Sequence, residues 1–214
     1  MKKLLLLSGA AFLALSFTTK DPTFPANYAQ KEVIVTQNEQ AFLLDYYKKT
    51  ANQLKNSVKG LSAAQLQYKP SAAEWSISQC LEHIIKTEKA IFDMTKQALE
   101  KPANPERKDE VKVTDQQLID GMTDRSQKAE APATLTGTGS YVAAATAIKD
   151  FRAQRAEILA YIKTASIDDL RNHINDSPMG PVDSYHSMLF IAAHTARHTL
   201  QIEEVKSNDT FPKE

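Results

Sequence analysis

The residues best suited to chemistry lie near the C-terminal end of the chain, in the run His194-Thr195-Ala196-Arg197-His198. On a helix, a four-residue step leaves the two imidazoles about 40° apart around the axis and roughly 6 Å apart along it. Both rings can then reach one ion. Ile191, Ile202 and Val205 share their face, so the pair looks inward. A lone inward histidine is more often a hydrogen-bonded core residue, but two polar rings buried side by side are costly without a shared purpose. His83 offers a third nitrogen from another helix, on whose inner border Cys80, Ile84 and Thr87 also fall. Three neutral imidazoles suit a late first-row divalent ion such as zinc, nickel or iron(II). They leave coordination positions open, as a reactive site requires and a closed structural site does not.

Other metal patterns fit less well. Thr195 stands where a zincin helix would need its glutamate base. A di-iron bundle needs Glu-x-x-His pairs, and the nearest match is Asp183-x-x-His186 at a helix start. His186 lies about 12 Å along the helix from His194, too far to share its ion. His173 falls in a polar loop and is expected to be solvated. No catalytic base is named by the sequence. Glu82 should point to another face, while Gln79, Thr87 and Gln201 can hydrogen-bond in the cavity. Arg197 is expected beside the ligand face, holding a carboxylate in preference to a substrate. Cys80 reads as a small buried hydrophobe, Trp75 as a packing anchor, and one ring of the Tyr46-Tyr47 pair can turn inward.

Four helical segments must position these residues. The first spans about Asn38 to Val58, with a Thr36/Glu39 capping box and Gly60 as its stop. The second opens at Ser76 with a capping box to Gln79 and a Trp75/Cys80 staple, and ends near Glu100 before Pro102. A long connection follows, with one short helix expected over Asp115–Lys128. The third helix covers about Tyr141 to Thr164. A loop containing Pro178, Gly180 and Pro181 leads to Asp183, which caps a fourth helix from Ser184 to about Lys206. The expected fold is all-α: a four-helix bundle with a long crossover connection between helices 2 and 3, which would let those two run parallel. The only strand signal is Glu32–Thr36.

The domain layout expected is a signal peptide over 1–19, an N-terminal arm over 20–37, the bundle over 38–206 and a tail over 207–214. Lys2 and Lys3 precede an apolar run from Leu4 to Phe17, too short to span a bilayer comfortably. An exported protein, periplasmic or extracellular, follows, with no stable membrane anchor after processing. The 26 basic and 26 acidic side chains balance to a formal charge of +0, which gives no pull towards nucleic acid. Cys80 is the single cysteine, so no intramolecular disulfide supports the fold.

The two histidine segments carry a family resemblance. Trp75-Ser76-Ile77-Ser78-Gln79-Cys80-Leu81-Glu82-His83-Ile84 resembles the W-S-x-x-E-x-L-x-H-I opening of helix two in the DinB-like superfamily. His194 to Ile202 is similar to its H-x-x-R-H-x-x-Q-I pattern, and Gly60-Leu61-Ser62 and Phe151-x-x-x-Arg155 are similar to other family positions. The resemblance spans roughly Asn38 to Lys206. It implies a four-helix bundle, often a homodimer, with a metal site made of His83, His194 and His198. Gln79 stands where many members have an acidic residue. Three readings stay open at this stage: a metal-dependent thiol transferase or hydrolase acting on an unidentified small molecule, a noncatalytic exported metal- or ligand-binding bundle, and a scaffold whose histidines bond to one another.

Overall fold

The computed structural model describes residues 39–213, so the signal peptide, the arm and the Thr36 cap lie outside the described residues. In chain order the elements are α1 (Glu39–Ser57), α2 (Ala63–Gln67), α3 (Ile77–Leu99), α4 (Asp115–Thr123), α5 (Ala144–Thr164), α6 (Ile167–Arg171), β1 (Ile174–Ser177), β2 (Gly180–Asp183) and α7 (Ser184–Lys206). A 3₁₀ turn over Pro105–Glu110 precedes α4. The start signals work as the sequence implies. Ser76 accepts from the Gln79 amide while Gln79 returns a bond to the Ser76 amide, and Asp183 accepts from the His186 amide at the head of α7. Gly60 takes a positive φ of 78° just beyond α1, a conformation that costs a glycine little.

The long helices α1, α3, α5 and α7 form the bundle. α1 and α7 each run antiparallel to the neighbours they share with α3 and α5 and parallel to each other. Tyr185 bonds the Glu39 carbonyl at one end, Tyr47 the Met188 carbonyl below it, and Ser57 the Glu203 carboxylate at the other end. α3 and α5 are likewise parallel: Gln154 bonds the Ile85 carbonyl, Arg155 meets Glu88, and Tyr161 meets Phe92 edge-on at 5.4 Å. Parallel neighbours cannot be joined by a tight turn, and the long connection from α3 to α5 is the crossover that this requires.

Two apolar clusters fill the interior. Leu43, Tyr47, Phe92, Ile158 and Met188 belong to one, and Leu54, Leu81, Ile84, Phe151 and Ile202 to the other. Between them lies a buried polar layer with one member from each long helix: Thr50, Glu88, Arg155 and Thr195. Arg155 donates from Nε to both Glu88 oxygens at 3.0 Å, and also to the Tyr47 carbonyl, Thr50 and Thr195. Thr195 in turn donates to Glu88 at 2.5 Å. The guanidinium lies over the rings of Tyr47 and Phe151 at 4.5 and 4.9 Å.

Four local expectations need correction. α4 stops at Thr123, not Lys128, because Arg197 takes the Met122, Asp124 and Gln127 carbonyls that a longer helix would have used. α5 starts at Ala144, not Tyr141, with no side-chain cap. The segment before α7 is an antiparallel hairpin, Ile174 pairing Asp183 and Ser177 pairing Gly180, and not an irregular loop. Its strands are only four residues long, too short for a readable alternation. His173 is buried, its ring nitrogens on the Asp169 and Lys101 carbonyls at 2.8 and 3.0 Å.

Arg155→Met should lower unfolding free energy by about 3–5 kcal/mol, since it strands a buried carboxylate. Glu88→Leu/Arg155→Met should recover much of that loss, because it removes both charges together. Urea titrations followed by circular dichroism check this. A single-variant cost below about 1 kcal/mol would show that the pair does not organise the core.

Candidate metal centre

The capping box at Ser76 fixes the phase of α3 so that His83, two turns in, faces the bundle interior. On α7, His194 and His198 stand one turn apart on the face opposite. The three rings gather with centroids 4.4–4.9 Å apart. Nε2 of His194 lies 3.1 Å from Nε2 of His83 and 3.1 Å from Nε2 of His198. The ligand atoms of all three lie within 4.8 Å of one another, close enough to surround one ion. The residues are 4%, 7% and 7% exposed in the order His83, His194, His198, so the group is covered but not sealed.

The bonds behind the rings decide what the Nε2 atoms are. His83 Nδ1 lies 2.9 Å from the Leu135 carbonyl, with Thr87 Oγ1 at 3.3 Å. A carbonyl only accepts, so that nitrogen carries the proton and Nε2 holds a lone pair. His198 Nδ1 lies 2.7 Å from the Gln201 amide oxygen and follows the same logic. His194 Nδ1 is buried with no partner. One N–H on His194 Nε2 could satisfy one neighbour but not both, and the other neighbour's lone pair would be left buried without a donor. A divalent cation among the three nitrogens removes that conflict, so the residues fit such an ion.

Electrostatics point the same way. Burial pushes His83 below the usual histidine range, with nearby Lys86 adding to the shift against the Leu135 bond. Burial pushes His194 and His198 well below it, reinforced by repulsion from the other rings and from Arg197. Neutral rings are the metal-binding form.

The walls are aromatic. Trp75 stands edge-on to His83 at 4.9 Å and stacks near His198 at 6.0 Å, while also packing on the core cluster around Leu54. It is therefore both a packing anchor and a side of the site. Phe190 stacks on His194 at 5.7 Å. This residue was missed, although it sits one helical turn before His194. The Leu135 carbonyl was missed too, and a backbone acceptor from a loop leaves no mark in residue type.

Other candidates fall elsewhere. Gln79 does not enter the cavity: its side chain caps α3 and donates to the Gly137 carbonyl. Arg197 holds three backbone carbonyls, not a carboxylate. Tyr47 is the inward ring of its pair, but its phenol bonds the Met188 carbonyl. His186 lies 2.9 Å from Asp115 and 3.2 Å from Asp183 at the far end of α7. Glu82 turns to the outer face, as expected, and accepts from the crossover loop.

A model of the family described as the DinB superfamily matches residues 46–202. The chain belongs to the DinB superfamily. Among proteins similar to this superfamily member is the uncharacterised YuaE of Bacillus subtilis (strain 168). It is 27% identical over 151 residues, which is 71% of this chain and 89% of YuaE. Among solved structures, YfiT from Bacillus subtilis superposes with a TM-score of 0.55 at 11% identity, over 78% of this chain and 85% of YfiT. YfiT is described as a probable metal-dependent hydrolase with an unusual four-helix bundle topology. At that identity the likeness speaks for the fold alone.

Cys80 is fully buried three residues from His83, and burial pushes its thiol up to about 12. The native protein should therefore stay unlabelled by a thiol reagent at pH 8 and take up one label per chain in denaturant. Stoichiometric labelling of the native protein would mean that Cys80 lines an open cavity.

Proposed function

We propose that this protein is an exported metal-dependent hydrolase of small molecules, with one divalent ion held by His83, His194 and His198. The observation that carries the reading is the convergence of three neutral Nε2 atoms, two of them fixed as lone pairs by acceptors behind their rings. YfiT's description as a probable hydrolase supports it. The basic start and apolar run over Lys2–Phe17 support export, and among the described residues no helix is long and apolar enough to cross a membrane.

When bound, a divalent ion would supply Lewis acidity towards a substrate oxygen and a means of making a nucleophile near neutral pH. The protein's own residues prepare that chemistry. Leu135 and Gln201 keep the Nδ1 protons of His83 and His198 in place. Trp75 and Phe190 limit water around the rings. Thr195, locked in the polar layer, fixes the rotation of α7 and so the aim of both histidines beside it.

A second reading, a noncatalytic metal- or ligand-binding bundle, is favoured by one observation. The carboxylates closest in sequence to the ligands are already engaged, Glu82 by loop amides, Glu88 by Arg155 and Glu203 by Ser57 and Lys206. A hollow of about 610 Å³ on the described surface runs along α1, α4 and α7, lined by Tyr46, Gln53 and Leu200 and not by the three histidines.

Elemental analysis of the protein, purified without a polyhistidine tag, separates these readings from a plain scaffold. About one equivalent of metal is expected in the parent and none in a folded His194→Ala/His198→Ala variant. A metal-loaded parent should then cleave members of an ester and amide panel. Turnover only with added thiols would turn the reading towards S-transfer, and metal without any turnover towards the binding protein. No metal in the parent, even after reconstitution with zinc, nickel and iron(II), would sink the proposal.

A further inference from the structure

Outside the three histidines, the densest polar construction beside the site is the docking of the crossover loop on α3. Gln79, Glu82, His83 and Lys86 follow at i, i+3, i+4 and i+7, and so form one stripe along the helix. Every one of them bonds the segment 135–140. The Leu135 carbonyl lies on His83, the Thr136 carbonyl accepts from Lys86 at 3.1 Å, and the Gly137 carbonyl accepts from Gln79 at 3.2 Å. The amides of Thr138, Gly139 and Ser140 then converge on a single oxygen of Glu82 at 2.7, 3.0 and 3.4 Å. Hydroxyls of Thr138 and Ser140 reach the same carboxylate, and Lys86 pairs with it at 2.8 Å.

Two glycines set the path of this loop. A Cβ on Gly137 would fall 2.2 Å from the Gln79 carbonyl, closer than any side chain tolerates. Gly139 has a φ of +83°, in the left-handed region, and that twist turns successive amides towards one anion.

We infer that Glu82 is a positioning residue for the metal centre: by gathering the amides of 138–140 it holds the Leu135 carbonyl on His83 Nδ1, and so keeps the His83 Nε2 lone pair aimed at the ion. The inference rests on the metal reading above and extends it to regulation of the same site. Loop docking and ion binding share the His83–Leu135 bond, so each strengthens the other by the same factor. Partners behind a ligating histidine typically govern metal affinity by 10–100-fold. The carboxylate one residue before a ligand thus acts on it through the loop, without facing the ion itself.

The test uses cobalt(II) as the probe, with dissociation constants from chelator competition and hydrogen exchange read at amides 138–140. The variants are Glu82→Gln, Gly139→Ala, their combination, and Asp93→Asn, which breaks an exposed ion pair on the same helix. Glu82→Gln should weaken cobalt binding roughly tenfold and speed exchange at the three amides. Gly139→Ala keeps every charge and should do the same, which separates positioning from simple attraction between a carboxylate and a cation. It also stands in if Glu82→Gln does not fold. The combination should be no weaker than the weaker-binding single variant, and Asp93→Asn should match the parent. In the parent, bound cobalt should slow exchange at 138–140. Faster exchange with unchanged affinity would overturn the inference, as would loss in Glu82→Gln with none in an equally loosened Gly139→Ala. A parent that binds no cobalt would remove the metal reading and this inference together, whereas a parent that binds it as tightly as every variant removes the inference alone.

Discussion

Glu88 and Arg155 face each other at the centre of the bundle, both withdrawn from water. Desolvating two charges costs several kcal/mol per ion, and attraction offsets that only when the remaining donors and acceptors are satisfied. Here they are satisfied by groups from every long helix: the Tyr47 carbonyl and Thr50 on α1, Thr195 on α7, and the pair itself on α3 and α5. Apolar contacts alone would let the helices slide or rotate with little loss, since Leu and Ile pack acceptably in several registers. A four-way polar layer does not tolerate such slippage. A shift of one residue in α7 would take Thr195 away from Glu88 and Arg155, costing the carboxylate one donor and the guanidinium one acceptor.

The three-histidine cluster inherits its geometry from that layer. His194 is the residue before Thr195, and His198 is one turn further, so locking Thr195 sets the direction of both rings. His83 is five residues before Glu88 on α3 and is fixed by the same anchor from the other side. The three rings then meet about a turn away from the ion pair, close enough to share its rigidity. The histidines are not themselves a stable arrangement of hydrogen bonds, because three nearly coincident Nε2 atoms present more lone pairs than protons. The surrounding structure supports that frustration, as functional sites commonly require.

Much of this was legible in the residues. The four long helices, their caps at Ser76 and Asp183, the parallel crossover and the three histidines all rest on local signals: period, capping residues, and a four-residue spacing on an apolar face. What escaped was decided by contacts between distant segments. Arg197 looked like a partner for an anion, but three carbonyls at the end of α4 claimed it and shortened that helix. Gln79 was expected in the cavity, and instead its capping bond and the close passage of Gly137 hold it at the helix start. His173 does fall in a loop but was expected to be solvated, and the Lys101 carbonyl, distant in sequence, helps to hold it buried. The Leu135 carbonyl could not be foreseen, since backbone acceptors are the same in every residue and only the path of the chain selects one.

The place of α7 after every other described helix in chain order has a consequence for how the bundle comes together. It packs on α1, α3 and α4, and its bonds to α1 join residues as far apart as Glu39 and Tyr185. Two of the three histidines and one wall of the polar layer are therefore made only after α1 to α6. A nascent chain holding only α1 to α5 has a charged pair without Thr195 and a single histidine without companions. The bundle cannot close until α7 has been made, and contacts this distant in sequence are slow to form. An ion held by all three histidines would then be taken up only after α7 has joined the other helices, so the site cannot exist before the bundle does.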